Sequence, residues 1–593
     1  MQPAAERPPV PASAPTPTPG PATPTPVKLP GPPTDTLGYA GATTDPVPPS
    51  SGGNVLPMST QAVPERWRIG WPRWDRYARQ SSWDDILQNQ SGGDSPYTLG
   101  NPLNPYDRNV LKGDYPIIGD DIFLNITGVS DTFFLAGKKP TPSGVSALNG
   151  GSFNFFGDGD FHLVNQTFLL NFELFKGYAA YRPVDWLIKI TPAFNINYTH
   201  VSEKNVVRVN PDDGNDRTDE FATLQEAFVE YHLGDTSPNF DIAALKVGRQ
   251  LFVSDFRGFI YSDVADGIRL FGNAAANRIQ YNLYFANQDE VDTNSGLNEL
   301  NWRDQQVLIA NLYLQDFLVP GYTSQWSFHW NHDSSDNRYD DNGFLVRPEP
   351  IGDFVKHDVN AYYLGWAGDG HIGRVNINHA AYYVFGTDDH NPLAGASQNI
   401  SAYMAALELS IDVDWLRPKI SGYYASGDND PTNGTATGFD AIVDNPSFAG
   451  GASSYFVNNG LGIVNTRLSS PVSLNNNFRA SKTEGQSNFV NPGTMLLNAG
   501  LDMELTPKLR CSINANAIWM AETGSTEYIL NQPGINNYLG EEANVFFQYR
   551  PWLNNNIIFT LGGSTFFPGQ GFEDIYQNND MLWQFYTGVT LTY

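Results

Sequence analysis

Cysteine is almost absent from this chain, because Cys511 is the only one among 593 residues. A fold held together by disulfides within the chain is therefore excluded. Basic residues are also scarce, since 35 Lys and Arg stand against 63 Asp and Glu and leave a net charge of −28. Proteins that bind nucleic acid need a basic surface to displace counterions from phosphates, so that class is excluded as well.

Long apolar runs are missing too. No run approaches the roughly 18 residues of a membrane-spanning helix, which excludes a helical membrane protein. Charged residues make up only 17% of the chain and aromatic residues 13%, whereas an average soluble protein has about 25% charged residues. The composition leaves two classes, a large aromatic-rich β-protein and a multidomain soluble protein.

The first 118 residues differ from the rest. Proline occupies 16 of the first 50 positions, so residues 1–60 are predicted to be a disordered, polyproline-like tether in the periplasm. Residues 61–118 are predicted to be an irregular Trp- and Arg-rich segment that is periplasmic or packs inside the domain that follows. No signal peptide is visible, so we expect an export signal to have been removed. The alternative is a cytoplasmic protein with a disordered tail.

From residue 119 onward, apolar residues recur with a period of two. In the last segment Trp583, Phe585 and Leu591 fall on one face, and Gln584 and Thr590 fall on the other. Strict alternation of this kind is typical of a half-buried strand. In a sandwich the polar face would be outside, whereas in a transmembrane barrel the apolar face meets lipid and the polar face lines a lumen.

Segment length separates these two cases. We predict eighteen strands, most of about 11 to 16 residues, which can cross a bilayer at a tilt; they include 165–181, 276–288 and 354–367. Tight turns, as at 368–370, alternate with long loops, of which 427–492 is the longest and a candidate to fold into the lumen. Residues 119–593 are therefore predicted to form an all-β, antiparallel transmembrane barrel in the outer membrane, with the N-terminus in the periplasm.

Aromatic residues mark the ends of the predicted strands. Trp186, Trp415 and Trp552 lie at tight turns, a position that suits an interfacial aromatic girdle, although ordinary turn packing is the alternative. The chain ends in Tyr593 on an alternating strand. We therefore expect two partners besides a small hydrophilic solute, namely outer-membrane lipid and the machinery that assembles barrels by binding the C-terminal strand.

One stretch of about fifty residues carries a more specific pattern. Leu224–Glu230 is followed by Gly248-Arg249-Gln250, then Arg257, then Asp266-Gly267-Ile268-Arg269-Leu270. This stretch resembles the alginate-export family of outer-membrane porins, in which Gly-Arg-Gln leads into an extended loop with an arginine and then into Asp-Gly-Val-Arg-Leu. The resemblance implies a single-chain barrel of about eighteen strands whose lumen passes an anionic polysaccharide.

The charge of this chain departs from that family. Several acids fall on predicted lumen faces, namely Glu226, Glu230, Glu408, Asp412, Asp502 and Glu504, and an acidic lumen repels polyanions. We therefore predict the architecture but not alginate as the solute. The predicted solute-binding residues are Arg249, Arg257, Asp266, Arg269, Glu226 and Glu230, with the arginines as a basic rung at a constriction. The alternative is that these arginines form stabilising ion pairs with Glu226, Glu230 and Asp266.

The sequence contains no pattern that predicts catalysis. Gly368–Gly373 matches a dinucleotide-binding pattern but opens no helix, so it is interpreted as a turn. No cofactor, metal site or catalytic residue is predicted, although three acidic loops are weak candidates for calcium. The first functional hypothesis is a passive outer-membrane channel for small hydrophilic solutes or oligosaccharides. The alternatives are a structural or scaffold barrel that sheathes or anchors a partner complex, and a barrel enzyme.

Overall fold

Eighteen long antiparallel strands follow one another around the molecule and close into a barrel. The computed structural model describes residues 109–119, 121–140, 157–177, 183–334, 336–459, 461 and 473–593. The predicted tether 1–60 and residues 61–108 of the Trp- and Arg-rich segment lie outside these ranges.

The barrel strands, in chain order, are β2 (Ile122–Lys138), β3 (Asp160–Lys176), β4 (Trp186–Val201), β5 (Asp216–Asp235), β6 (Ile242–Val253), β7 (Ser262–Ala274), β8 (Ile279–Val291), β9 (Asn298–Leu314), β10 (Tyr322–Ser334), β13 (Asp358–Ile372), β14 (Val375–Asn391), β15 (Ala396–Ile411), β16 (Leu416–Ala425), β18 (Thr494–Thr506), β19 (Leu509–Trp519), β20 (Tyr538–Tyr549), β21 (Ile557–Pro568) and β22 (Leu582–Thr592). In the described part of the chain, four short strands lie outside the barrel wall or extend it, namely β1 (Lys112–Ile118), β11 (Arg338–Tyr339), β12 (Leu345–Arg347) and β17 (Thr435–Ala436). Short helices are α1 (Tyr455–Asn459), α2 (Gly524–Leu530) and α3 (Gln570–Tyr576).

Closure joins the first barrel strand to the last. Strands β2 and β22 pair antiparallel from Val129 opposite Thr592 to Gly137 opposite Gln584. The predicted fold class, an antiparallel barrel of eighteen strands, is therefore confirmed. No helix in the described ranges has the length and apolar character needed to cross a bilayer.

Connections alternate in length around the barrel, as the sequence predicts. The long ones, which include 139–159, 202–215, 335–357, 426–493 and 520–537, are all at the same end of the barrel. The connections at the other end are short, as between β13 and β14, where only Gly373 and Arg374 separate the strands. Because eighteen is an even number, both ends of the barrel chain lie on the short-turn side.

The two faces of each strand carry different side chains. On β4, Ile190, Phe194 and Ile196 are exposed on the outer face, whereas Lys189 and Asn195 are buried on the inner face. An apolar outer face and a polar interior are the signature of a barrel that spans lipid. The lumen is therefore polar.

Tryptophans mark both rims of the outer face. Trp415 and Trp552 are 48% and 58% exposed at short turns, as predicted for an interfacial girdle. Trp326 and Trp366 stack on each other on neighbouring strands near the same end, with ring centroids 6.1 Å apart. Trp302 lies exposed near the long-loop end. The lipid-facing band therefore has aromatic residues at both of its edges.

Some boundaries differ from the prediction. Residues 368–370, predicted as a tight turn, lie inside β13, and the turn is at 373–374 instead. Glycine occurs at tight turns and also at strand positions that have no room for a side chain. In both cases it interrupts the alternating apolar pattern, so the sequence does not distinguish them. A Cβ on Gly368 would lie 2.2 Å from the Tyr322 hydroxyl and 2.4 Å from His379 Nε2. Gly368 makes room for side chains on the outer face, because it has the same strand parity as the exposed residues Leu364 and Trp366, and it does not reverse the chain.

The N-terminal strand β1 meets the C-terminus at the barrel seam. It pairs with the beginning of β2, where Lys112 lies opposite Asn125, just beyond the end of β22. The Lys112 ammonium lies 4.3 Å from the centroid of the Tyr593 ring, and Asn109 Nδ2 donates a hydrogen bond of 3.3 Å to the Tyr593 hydroxyl. Recognition of this terminal strand by an assembly machinery stays a prediction.

Candidate functional site: the partitioned lumen

Two connections from the long-loop end fold into the lumen. One is the β6–β7 loop (residues 254–261), and the other is the middle of the β16–β18 connection, of which residues 438–459, 461 and 473–490 are described; we call these the lumen segment (438–490). Together they form what we call the partition. The sequence predicted that 427–492 was a candidate to enter the lumen, and the structure places it there.

Backbone hydrogen bonds join the two parts of the partition. The amides of Val443 and Asn445 donate to the carbonyls of Ile260 and Gly258, at 3.1 and 2.9 Å. The loop itself is held by Asp255, whose carboxylate accepts the amide of Gly258 at 2.6 Å and the hydroxyl of Tyr382 at 3.0 Å. The β6–β7 loop therefore acts as a fixed shelf on which the lumen segment lies.

The lumen segment then reaches the opposite side of the barrel. The amide of Phe456 donates to Glu542 on β20 at 2.8 Å, and the Ala449 carbonyl accepts from Asn516 on β19 at 2.9 Å. Asn458 Nδ2 donates to Gln584 on β22 at 2.8 Å. Because β19 lies opposite β7 in the closed strand order, the segment spans the lumen.

A returning arm fastens the segment to a third part of the wall. The Arg303 guanidinium on β9 donates to the carbonyls of Thr483 and Gly485, at 2.6 and 2.9 Å. Gln486 Nε2 donates to the carbonyls of Asp333 and His357, both at 2.8 Å. The partition is therefore anchored to the strands at three places around the lumen.

An apolar core fills the inside of the partition. Its buried side chains include Phe439, Ile442, Phe448, Phe456 and Phe489, and they pack with lumen-facing aromatic residues of the wall. Aromatic side chains in a lumen would be costly in contact with water. Their burial shows that the segment folds as a compact insert rather than hanging as an open loop.

A buried carboxylate holds the two arms of the insert together. Asp440 is 0% exposed and accepts hydrogen bonds from Arg479 at 2.6 Å and Lys482 at 2.8 Å. It also accepts from Asn477 Nδ2 and the Asn488 amide, each at 3.0 Å. Burial acts to raise the pKa of Asp440, but the two cations outweigh it and hold the pKa below its usual range. We call this group the Asp440 clasp.

The predicted solute-binding residues occupy three separate places. Arg249 lies opposite Ala227 and Asp266 in the strand register, on the same face as Val247 and Ile268, which are 43% and 52% exposed. This register places Arg249 on the outer side of the wall, where its Nε lies 3.2 Å from Asp266. A second pair joins its Nη2 to Asp289 at 2.8 Å.

Gly248, the glycine before Arg249, explains part of the shared motif. Its φ is +124°, and a Cβ there would lie 2.2 Å from the Ala227 carbonyl oxygen. Gly267 is similarly enclosed, since a Cβ would meet the Tyr284 ring at 2.7 Å. Both positions require glycine because backbone or ring atoms approach closely.

Arg269 and the two glutamates lie on the lumen face. The Arg269 guanidinium lies between the rings of Phe252 and Phe271, 4.9 and 4.8 Å from their centroids, and donates to Asn282. The prediction paired the arginines with Glu226 and Glu230, but these acids contact lysines instead. Glu226 lies 2.7 Å from Lys189, and Glu230 lies 3.3 Å from Lys246.

The side chain of Arg257 extends from the β6–β7 loop to strand β15. Its Nη2 donates to Glu408 on β15 at 2.7 Å, and its Nη1 donates to the Ser447 carbonyl at 2.8 Å. The three arginines therefore do not come together in one rung, because they lie on the outer face, on the lumen face and on the partition. Alternation places a residue on a face, but it does not reveal an inward-folded loop. Solute binding by the six residues stays a prediction.

The expected acidic lining is largely compensated. Asp502 lies 3.1 Å from Lys419 and 3.8 Å from Arg510, and Arg510 also lies 3.6 Å from Glu504. Asp412 is in a short turn, where it pairs with Arg417. These acids therefore stand beside cations, and an acidic lumen as a whole stays a prediction. Exposed acids instead occur in loops, as at Asp212 and Asp213.

No pattern in the sequence points to the Asp440 clasp. The stretch that contains the clasp has no strand alternation. Asp440 is 39 positions from Arg479 and 42 positions from Lys482. A weak signal was present, because Arg479 and Lys482 are two of only three basic residues in 427–492. No group of three or more potential metal ligands occurs among the described residues. Calcium binding by the acidic loops stays untested.

A buried acid in the 335–357 connection predicts a pH response. Burial raises the pKa of Glu349 to about 7, partly offset by His357. A raised pKa means that the folded loop favours the protonated acid, so the stability of the loop is highest below about pH 4.5 and falls as pH rises to about 7. His357 acts in the same direction: burial lowers its pKa, but Asp388 and Glu349 outweigh this and raise it.

We therefore expect amide protection in 345–357 to fall severalfold between pH 6 and pH 8, as measured by hydrogen exchange. Glu349→Gln should flatten the part of this change that the carboxyl causes, because the amide does not titrate. Asp336→Asn, an exposed position in the same connection that pairs with Lys356, is the matched control and should leave the profile unchanged. An equal fall in protection with and without Glu349 would contradict the assignment.

Solved structures with a similar arrangement of strands come from Pseudomonas aeruginosa. OccK7 (OpdD) is 10% identical, with 79% of this chain and 98% of that chain covered and a TM-score of 0.46. OpdQ is 12% identical, with 80% and 99% covered and a TM-score of 0.43. OccD3 (OpdP) is 10% identical, with 79% and 91% covered and a TM-score of 0.41. Neither a family model nor a curated protein matches this sequence.

Proposed function

We propose that this chain is an outer-membrane channel through which small hydrophilic solutes or oligosaccharides diffuse passively. The observation that carries the proposal is the polar lumen of a closed barrel whose outer face is apolar. Lys189, Asn195 and Asn197 line the inside of β4 while Ile190 and Phe194 face outward. Such a barrel gives polar solutes a route across lipid without a catalytic group.

The short-turn side is proposed to face the periplasm. The described chain enters the barrel there at residue 109 and also ends there at Tyr593. Short periplasmic turns and longer external loops are the usual layout of such barrels. The partition then enters the lumen from outside the cell and narrows the path.

The motif shared with the alginate-export porins is proposed to serve the wall rather than the solute. Gly248 and Gly267 permit close approach of neighbouring atoms, and Arg249 pairs with Asp266 and Asp289. These contacts support membership in a related group of porins. They do not favour a polyanion as the solute, because the nearby lumen charges are paired.

A second candidate function is a structural or scaffold barrel that holds a partner complex in the outer membrane. The observation that favours it is the buried apolar core of the partition, which occupies space that an open pore would need. Single-channel conductance of the refolded protein in a planar bilayer separates the two. A stable conductance supports the channel. A folded barrel without conductance, which co-purifies with another protein, would refute the channel and favour the scaffold.

A further inference from the structure

We propose that the channel passes neutral solutes rich in hydroxyl or amide groups in preference to ions of either sign, and that the Arg257–Glu408 pair determines this specificity. The inference deepens the proposed function and rests on it. Three observations carry it. They are the distribution of charged side chains around the lumen, the neutral amides between these charges, and the position of the Arg257–Glu408 ion pair between the partition and the wall.

On one side of the lumen, opposite charges alternate across neighbouring strands. Glu408 on β15 is followed by Lys419 on β16, Asp502 on β18 and Arg510 on β19. Arg257 lies 2.7 Å from Glu408 at one end of this row, and Glu504 lies 3.6 Å from Arg510 at the other end. Three cations therefore stand beside these three anions in the half of the lumen near the short turns, where a fourth acid, Asp369 on β13, accepts a hydrogen bond from Asn378 at 3.0 Å.

The facing part of the wall repeats this balance in the same half of the barrel. Lys189 lies between Glu226 and Glu173, at 2.7 and 3.8 Å, and Lys246 lies 3.3 Å from Glu230. Arg269 supplies the third cation. Ion-selective pores use rings of one charge sign to attract the permeating ion. A ring in which the two signs cancel gives no such attraction, whereas each ion still loses hydration on entering.

Neutral amides line the lumen between these charges. Asn195 Nδ2 donates to Asn165 Oδ1 at 2.7 Å on one wall. On the other wall, Asn498 Nδ2 donates to Asn516 Oδ1 at 2.7 Å. These amides are at most 9% exposed and satisfy one another, so they add polar groups to the wall without adding charge. A wall whose polar groups carry little net charge fits a neutral sugar or an amide-bearing solute.

The Arg257–Glu408 ion pair differs from the other charge contacts because it joins two parts of the protein. Arg257 belongs to the partition and Glu408 to the wall, so the pair bridges the inserted loop and the barrel. Their side chains are 12% and 13% exposed, which leaves each within reach of a passing solute. Removing one partner would leave the other with only its more distant neighbour, Lys419 for Glu408 or Asp369 for Arg257, and so expose part of its charge at the edge of the partition.

Single and double substitutions of Arg257 and Glu408 test the inference, with the ion selectivity of the channel as the measured property. We expect wild-type protein in a potassium chloride gradient to show little ion selectivity. Glu408→Gln should shift the permeability ratio toward anions, and Arg257→Gln should shift it toward cations, each by roughly three- to tenfold as the exposed charge acts on ions in a narrow lumen. The double variant should return to the wild-type ratio. Asp412→Asn, in a short turn, changes the net charge equally and should not shift it.

Solute uptake supplies the second measurement. Liposomes containing wild-type protein should swell faster with sucrose than with gluconate or lysine, and both single variants should reduce this difference. Heat-modifiable migration on gels checks that each variant is a folded barrel. Strong selectivity for one ion sign in wild-type protein, or single variants that shift it in the same direction, would overturn the inference and leave the channel standing. Folded protein with neither conductance nor swelling would overturn the proposed function itself.

Discussion

Deleting residues 439–488 should raise the single-channel conductance on the order of tenfold, because the free cross-section at the narrowest point sets the conductance of a pore. The deletion removes the part of the lumen segment that contacts β9, β10, β19, β20 and β22. The Gly438 amide already donates to the Phe489 carbonyl at 2.8 Å. Two or three glycines can therefore join these ends without strain.

The barrel wall should survive this deletion. Strands β16 and β18 pair directly along their length, from Leu416 opposite Met503 to Ala425 opposite Thr494, so the connection is not needed for closure. Replacing the exposed residues Pro211–Asp213 by glycines alters a loop at the same end of the barrel and is the matched control. It should leave the conductance unchanged.

The outcome of the deletion also separates the two candidate functions. A larger and stable conductance from the shortened protein, with a smaller one from wild-type protein, indicates a constricted channel. A conductance that appears only after the deletion indicates a barrel that the partition closes, as the scaffold function requires. No change at all would contradict the assignment of residues 438–490 as the constriction.

Substituting Asp440 should release the lumen segment while leaving the strands intact. Asp440→Ala removes the carboxylate shared by Arg479 and Lys482, and leaves Arg479 buried without a carboxylate partner in the clasp while Lys482 keeps Asp444 at 2.9 Å. Breaking a buried ion pair in this way costs about 3–5 kcal/mol. A loss of about 3 kcal/mol corresponds to a change of roughly a hundredfold, so hydrogen-exchange protection in 438–490 should fall by about that factor.

Asp430→Asn is the matched control, since Asp430 is an exposed acid of the same connection whose nearest partner is Thr432. It should not change protection of the lumen segment. A second readout is the single-channel record, in which Asp440→Ala should add fluctuations as the segment moves. Unchanged protection in Asp440→Ala would show that the apolar core alone holds the insert.

The clasp also has a defined pH dependence. Because Arg479 and Lys482 hold the pKa of Asp440 below its usual range despite burial, its contribution is present above the unfolded pKa of about 4 and is lost as pH falls through the folded value. The clasp should therefore remain closed at neutral and mildly acidic pH. The 345–357 loop behaves in the opposite way, because the raised pKa of Glu349 weakens it as pH rises.

The sequence by itself determined the wall of this protein. Period-two alternation and the spacing of turns predicted eighteen strands, and segments such as 165–181 and 276–288 correspond to β3 (Asp160–Lys176) and β8 (Ile279–Val291). This was possible because a strand between lipid and a polar lumen must alternate residue by residue. The information about each strand is therefore local.

Only the tertiary structure decided what fills the lumen and which charges meet there. Arg257 and Glu408 are 151 residues apart, and Asp440 and Arg479 are 39 apart in a stretch with no periodicity. The sequence predicted a basic rung from three arginines in one motif, but the inward fold of the β6–β7 loop and the strand register separate them. Ion pairing depends on where distant segments pack, and no local pattern in the chain records that.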